Sequence, residues 1–377
     1  MKWNSLMSKG FGYFLLVFIV FAIGALSAPL WLLQCVTIDP ENGPKGDAIG
    51  GVATPLITLI MALLAFLAFW MQYQTLRDQR LEINRHHFED RLSLMLAQQR
   101  ENVNNLRAGK HKGREAAEEL AGELYLTLSC IMKIFDGKIS EDIKAVANLD
   151  DQQRARLTLY FNEVNNDLNK KLEFIMKAAY GIFFQGGNYM PNAEELEERV
   201  WLTELIKKRL ADINYSINDN KNYSEILFSS SKDLAEVKEL PYEPWRGHNA
   251  ELGCYYRHLY QIIRFIACYP NREMREEEKY GYAKLVRSHL SDYEQFLLYY
   301  NSLSDFGEPW NKPLCNDNAY PPQNMGLIGR FRMIKNLPGN INWRGLNPID
   351  KYNNEIKEWN KLKCDFFETP QFLTIDL

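Results

Sequence analysis

Two stretches near the N-terminus carry no polar rhythm at all. Residues 11–33 and 52–71 contain no charged side chain. The hydrocarbon core of a bilayer, about 30 Å thick, takes roughly 20 apolar residues in a helix. In lipid, a helix also satisfies its own backbone polar groups. Both stretches are therefore predicted to be transmembrane helices, making residues 1–71 a two-helix membrane anchor. The alternative for each is a buried helix of a soluble protein. Past residue 71 the pattern becomes periodic. Residues 72–107 hold no Gly or Pro, and Leu76, Ile83, Phe88, Leu92, Met95, Leu96, Val103 and Leu106 recur mostly at three-, four- or seven-residue steps. This is the signature of an amphipathic helix. Two readings stay open for it: a stalk or coiled-coil segment, or a helix packed on the globular part.

Helical periodicity continues to the C-terminus. Residues 108–113, with Gly109 and Gly113, read as a loop. Helices are expected at 114–135, in a short segment capped by Ser140, and at 151–180. Gly186 and Gly187 close that block. Asn192, three residues before Glu195, predicts a capping box for a helix to about residue 211. Residues 212–249 are rich in Asn and Ser and then carry Pro241, Pro244 and Gly247, which marks an internal boundary. A dense apolar helix follows from Glu251 and stops at Pro270. Further helices are expected at 276–300, 327–337 and 349–362, with a Pro- and Asn-rich loop at 305–324. No alternating strand pattern and no internal repeat is present. The predicted fold is mainly α: an N-terminal two-helix transmembrane hairpin followed by an α-helical cytosolic domain. Its divisions are an anchor at 1–71, a stalk at 72–107, a helical middle at 108–249 and a helical domain at 250–377.

Charge orients the anchor. Lys2 and Lys9 precede the first span, Arg77, Arg80 and Arg85 follow the second, and the intervening loop carries Asp39, Glu41 and Asp47 against Lys45. Basic flanks mark the cytoplasmic side, so both termini are expected in the cytoplasm of a multi-pass protein. Ala25 to Ser27 resembles a signal-peptide cleavage site, but the apolar run continues past it to Leu33. With 44 Lys and Arg against 48 Asp and Glu, the chain has a net charge of -4 and is not a general nucleic-acid binder. The six cysteines form no CxxC pair, which fits reduced thiols in a cytosolic body. Neither span holds a charge, which argues against a pump or carrier. Thr54, Thr58, Ala62 and Ala65 set small residues along one helical face. Such a face permits close helix packing, within the hairpin or between copies of the chain.

One block resembles a known family. Tyr255-Tyr256-Arg257-His258-Leu259-Tyr260-Gln261-Ile262-Ile263, then Tyr282-Ala283, Arg287, Leu290-Ser291 and Glu294, then Leu297-Leu298-Tyr299-Tyr300-Asn301, is similar to the phage abortive infection protein family. Gly326-Leu327-Ile328, Phe331 and Lys335-Asn336-Leu337 extend the likeness over about residues 251–337. The resemblance implies a bacterial inner-membrane protein that limits phage infection by halting the infected cell. It brings no catalytic residues with it.

Candidate chemistry is sparse. Arg257, His258 and Arg264 lie in an otherwise apolar helix with no acid between Tyr255 and Tyr269, and Glu294 stands in the next one. A buried charge needs a partner, so pairing of Arg257 or Arg264 with Glu294 is the simple expectation. A phosphate-binding role for the arginines is the alternative. Arg80 and His86 share the spacing of HEPN-type ribonucleases, in which His acts as base and Arg stabilises phosphate. Contact with lipid headgroups is the competing reading for Arg80. Cys254 and His258 form at most half of a metal site, and no phosphate loop, nucleophile elbow or HExxH is present. No metal or cofactor is expected. The expected partners are the bilayer and further copies of the chain. The leading reading is a membrane-anchored effector or sensor of abortive infection that is not an enzyme. A membrane-tethered ribonuclease and a membrane scaffold unrelated to phage are the alternatives.

Overall fold

The computed structural model describes residues 43–137, 139–145, 149–191, 196–220, 243–314, 325–338, 346–362 and 364–367. The expected first span at 11–33, the expected capping box at Asn192 and Glu195, and Cys35 and Cys315 lie outside the described residues. The chain divides into two compact units, Met1–Phe88 and Glu89–Leu377.

The described part of the first unit is a single helix. It belongs to α1, which spans Gly43–Asn104. The helix begins before residue 52, with Pro44 in its first turn, where the missing N–H has no intrahelical acceptor to lose. Residues 43–51 are therefore helical rather than loop. Ile57, Met61, Phe66, Phe69 and Met71 are exposed along it. Among the described residues this is the one helix long and apolar enough to cross a membrane. The mainly helical fold stands; a two-helix hairpin is not part of the described structure.

The second unit comprises the last turns of α1, residues 89–104, and the rest of the chain. Where a loop was expected, β1 (Arg107–Ala108) and β2 (His111–Lys112) form a short antiparallel ribbon, pairing Arg107 with Lys112 and Ala108 with His111. Gly109 at φ 57° makes the turn. Helices α2 (Arg114–Asp136), α3 (Ile139–Ala145), α4 (Asp151–Asn166) and α5 (Leu168–Gln185) follow. The single helix expected at 151–180 is broken at Asp167, whose side chain accepts from the backbone N–H of Asn169 and Lys170 and caps α5. Helix α6 spans Glu197–Asn220 and runs past the expected end at 211.

The C-terminal half contains α7 (Asn249–Ala267), α8 (Glu276–Arg287), α9 (Asp292–Leu303), α10 (Leu327–Phe331), α11 (Pro348–Lys351) and α12 (Asn353–Lys361). The helix expected at 276–300 is thus two. Ser291 caps α9 through a reciprocal capping box with Glu294, which stops the chain from continuing straight. The helix expected at 327–337 ends at Phe331 because Arg332 turns left-handed, at φ 49°. Buried Arg287 donates to the carbonyls of Phe331 and Arg332, at 3.1 and 2.9 Å, and holds that turn. The helix expected at 349–362 is interrupted at Tyr352.

The core sits where α2, α5 and α9 meet. Leu120, Leu124, Ile131, Ile175, Ala179, Phe183, Phe296 and Leu298 are almost wholly buried there. The regions expected as separate, 108–249 and 250–377, lie within the one unit. Lys279, only 1% exposed, joins α7 to α8: its ammonium donates to the carbonyl of Ala267 at 3.1 Å and pairs with Glu276 at 3.1 Å. A cation is favoured at that helix C-terminus.

Candidate functional site

Helix α7 presents two faces. Leu252, Tyr255, Tyr256, Leu259, Ile262, Ile263 and Ile266 are buried, while Cys254, Arg257, Gln261, Arg264 and Cys268 are exposed. The buried face carries a polar seam through the core. Tyr255 donates to Oε1 of Glu294 at 2.9 Å. Oε2 of Glu294 accepts from the backbone N–H of Ser291 at 2.9 Å. Two turns further along the same face of α9, Asn301 donates to the hydroxyl of Tyr180 on α5 at 2.8 Å. His258, half-buried, bonds through Nδ1 to the side-chain oxygen of Gln99 at 2.9 Å. Burial pushes the phenols of Tyr255, Tyr256, Tyr180 and Tyr300 well above their usual range, and at Tyr255 the adjacent Glu294 adds to it. These phenols stay protonated, and that of Tyr255 donates to Glu294. Burial alone draws His258 below its ordinary value.

A second polar cluster fastens the start of α7. Glu123, on α2 and fully buried, accepts from the backbone N–H of Trp245 at 2.8 Å and meets Nε2 of His248 at 2.7 Å. The indole of Trp245 donates to the hydroxyl of Thr127 at 2.9 Å. Trp245 pays for this position with φ 62°, a region that L side chains rarely occupy. Gly186 and Gly247, both at positive φ, meet backbone to backbone beneath the loop.

Beside the seam lies a cleft of about 360 Å³. Its walls come from α1 (Leu96, Gln99, Arg100), α2 (Arg114), α7 (Leu259) and the α8–α9 connection (His289, Leu290). Arg100 and Arg114 were not singled out from sequence. They stand 14 positions apart across the ribbon, and nothing local relates them to each other or to His289.

The residues singled out from sequence fall apart spatially. Glu294 is buried, but Arg257 and Arg264 are not its partners; Tyr255 and the Ser291 N–H are. The expected ion pair is corrected on simple grounds: both arginines lie on the exposed face of α7, so no buried guanidinium needs a carboxylate. Arg257 lies 3.5 Å from the sulfur of Cys254. Arg80 and His86 are both exposed on α1. Six residues on an α-helix set two side chains about 120° apart around the axis and roughly 9 Å apart along it, so within one chain they do not converge. Thr54, Thr58, Ala62 and Ala65 are exposed, and the Thr58 hydroxyl bonds back to the carbonyl of Thr54 at 2.8 Å. Among the described residues, no three His, Cys, Asp or Glu side chains converge as a metal site.

Residues 247–341 match the model of a family described as "Putative phage abortive infection protein". The likeness read over 251–337 is therefore upheld, and it covers α7 to α10 with the Tyr255–Glu294 half of the seam. No curated protein and no solved structure matches the chain.

Proposed function

We propose that this chain acts in antiphage defence by abortive infection, as a membrane-anchored effector or sensor that halts the infected cell. The carrying observation is the family match over residues 247–341, which falls on α7 to α10 of the second unit. A match over that block speaks to the biological process. The mechanism has to come from the rest of the molecule.

The anchor rests on α1. Ile57, Leu59, Met61, Leu64, Phe66, Phe69 and Met71 are all exposed along one uncharged stretch. In water that surface is costly, at about 25 cal/mol per Å² of apolar area; a bilayer removes the cost. With the flanking charges, this supports an inner-membrane protein whose termini are both cytoplasmic, and whose small-residue face pairs helices within the hairpin or between copies. In this reading the helical body receives the infection cue, and its repacking or assembly is passed to the anchor.

The test is phage challenge of cells carrying or lacking the gene. Abortive infection protects a culture when phage are few and kills the infected cells when phage are in excess. Equal survival of both strains at every phage ratio overturns the reading. Membrane potential, followed by a voltage-sensitive dye during arrest, decides its membrane-perturbing form: an intact potential through arrest removes that form alone.

A further inference from the structure

Several arginines of the second unit are paired with acids: Arg156 with Glu198 at 2.6 Å, Arg330 with Glu276 at 2.8 Å, and Arg209 with Asp142. Arg100 and Arg114 are different. Arg100 places Nη2 3.3 Å from Nε2 of His289, and Arg114 donates through Nη2 to the His289 carbonyl at 3.2 Å. Among the described residues neither guanidinium meets a carboxylate. Two cations and an imidazole thus converge at the mouth of one cleft, with most of their donors unused.

The rest of the cleft adds two features. Its floor is apolar, made by the buried side chains of Leu96, Leu259, Val286 and Leu290. Gln99, 4% exposed, lines it, and its amide nitrogen lacks a hydrogen-bond partner. At about 360 Å³ the cleft is at the small end of ligand pockets, which run from roughly 300 to 1,000 Å³. Unused planar guanidinium donors match phosphate oxygens. An apolar floor matches the flat body of an organic group.

We propose that the cleft between Arg100, Arg114 and His289 binds a phosphate monoester or anhydride of about mononucleotide size, with the phosphate on the arginines and the organic part on the Leu96–Leu259–Leu290 floor. His289 is the specificity element. Burial, then Arg100 and Arg114, hold its imidazole below the usual histidine value. The neutral ring therefore accepts from Arg100. An entering phosphate offsets both cations, so the ring gains a proton as it exchanges the arginine for a phosphate oxygen. The charged groups bearing on the ring are Arg100 of α1 and Arg114 of α2. The proposal is independent of the antiphage reading, because its readout is binding.

The experiment is calorimetric titration of the full chain in non-ionic detergent with inorganic phosphate, AMP and ATP. A nucleotide should bind saturably and more tightly than inorganic phosphate. Arg100→Gln and Arg114→Gln should each weaken it roughly tenfold or more, the expected loss for one charged hydrogen bond. Both side chains are exposed and each makes one bond to His289, so the unliganded variants should still melt cooperatively. Asn104→Trp, at an exposed rim position, should block entry and covers the case in which an arginine variant fails to fold. A further arm adds phosphatidic acid or phosphatidylcholine to the micelles. Competition by phosphatidic acid and not by phosphatidylcholine assigns the phosphate monoester to a lipid headgroup; no competition assigns it to a soluble ligand. Absence of saturable binding by every probe and by phosphatidic acid, or affinity unchanged in Arg100→Gln, Arg114→Gln and Asn104→Trp, overturns the proposal.

Discussion

Tyr255 on α7 donates its phenolic proton to Glu294 on α9 across 2.9 Å, and both side chains are about 1% exposed. The bond links a helix face to the capping box that begins the next helix, so one acid serves tertiary and local structure together. Tyr255→Phe removes one donor and leaves an oxygen of Glu294 buried without it. That costs about 2 kcal/mol, or a melting temperature lower by roughly 4–8 °C. Glu294→Ala should cost more, because it also removes the acceptor for the Ser291 N–H. A calorimetric scan of each full-chain variant checks the order; equal melting of wild type and Tyr255→Phe would show that the bond contributes nothing.

Glu123 is the acceptor for both the Trp245 backbone and His248. Glu123→Ala removes the acceptor that the Trp245 N–H and His248 share and should destabilise by about 3 kcal/mol. Glu123→Gln keeps an acceptor oxygen and should recover part of the loss. Denaturant titration followed by Trp fluorescence reads both.

Gly247 sits at φ 88°, and a Cβ there would stand 2.7 Å from the carbonyl carbon of Gln185. Gly247→Ala should cost about 2 kcal/mol from conformation and overlap combined. Gly187→Ala serves as the control, since a Cβ there meets nothing within 4 Å. The two alanine variants should separate clearly in thermal melting; identical curves would refute the backbone argument.

The exposed apolar stretch of α1 predicts membrane integration. Leu64→Arg and Phe66→Arg each place a charge near the centre of the span, at about 2.5–3.5 kcal/mol. Wild-type chain should resist carbonate extraction, and the double variant should move largely into the carbonate-soluble or degraded fraction. A wild-type chain that stays in solution without detergent counts against the anchor.

His258 and His289 both lie below the ordinary histidine value when folded. Near an unfolded value of about 6.5, the unfolded chain takes up protons before the native one does. Their contribution to stability is therefore complete above about pH 7 and is lost as pH falls through 6.5 toward the folded values. Melting temperature should drop between pH 7.5 and 5.5, and His289→Asn should flatten that slope. A slope that is unchanged in His289→Asn assigns the pH dependence to other groups.

What sequence reading reached here followed the physics of single elements. The 3.6-residue rhythm placed α2 and α7 almost to the residue, because one apolar face packs on one core. It ran α8 into α9 because the apolar phase survives the break at 288–291, although Ser291 and Glu294 already carried the capping pair. It put Arg257 and Arg264 inside because their neighbours are apolar, whereas they occupy the outward stripe of the same helix. Glu294 is expected from sequence to meet Arg257 or Arg264, whereas the phenol of Tyr255 takes that place. Glu123 looks in sequence like any surface acid; its burial depends on a loop more than 100 residues away. The cleft was illegible for the same reason: its three basic groups come from three elements, and only tertiary structure brings them together.

The backbone contact of Gly186 with Gly247 pins the chain at two points that bracket everything from 187 to 246. Within that bracket α6 belongs to the core, with Leu202, Ile206 and Leu210 almost wholly buried. A side chain that pushes the two glycines apart therefore opens one closed circuit at both ends, the departure from α5 and the return to α7.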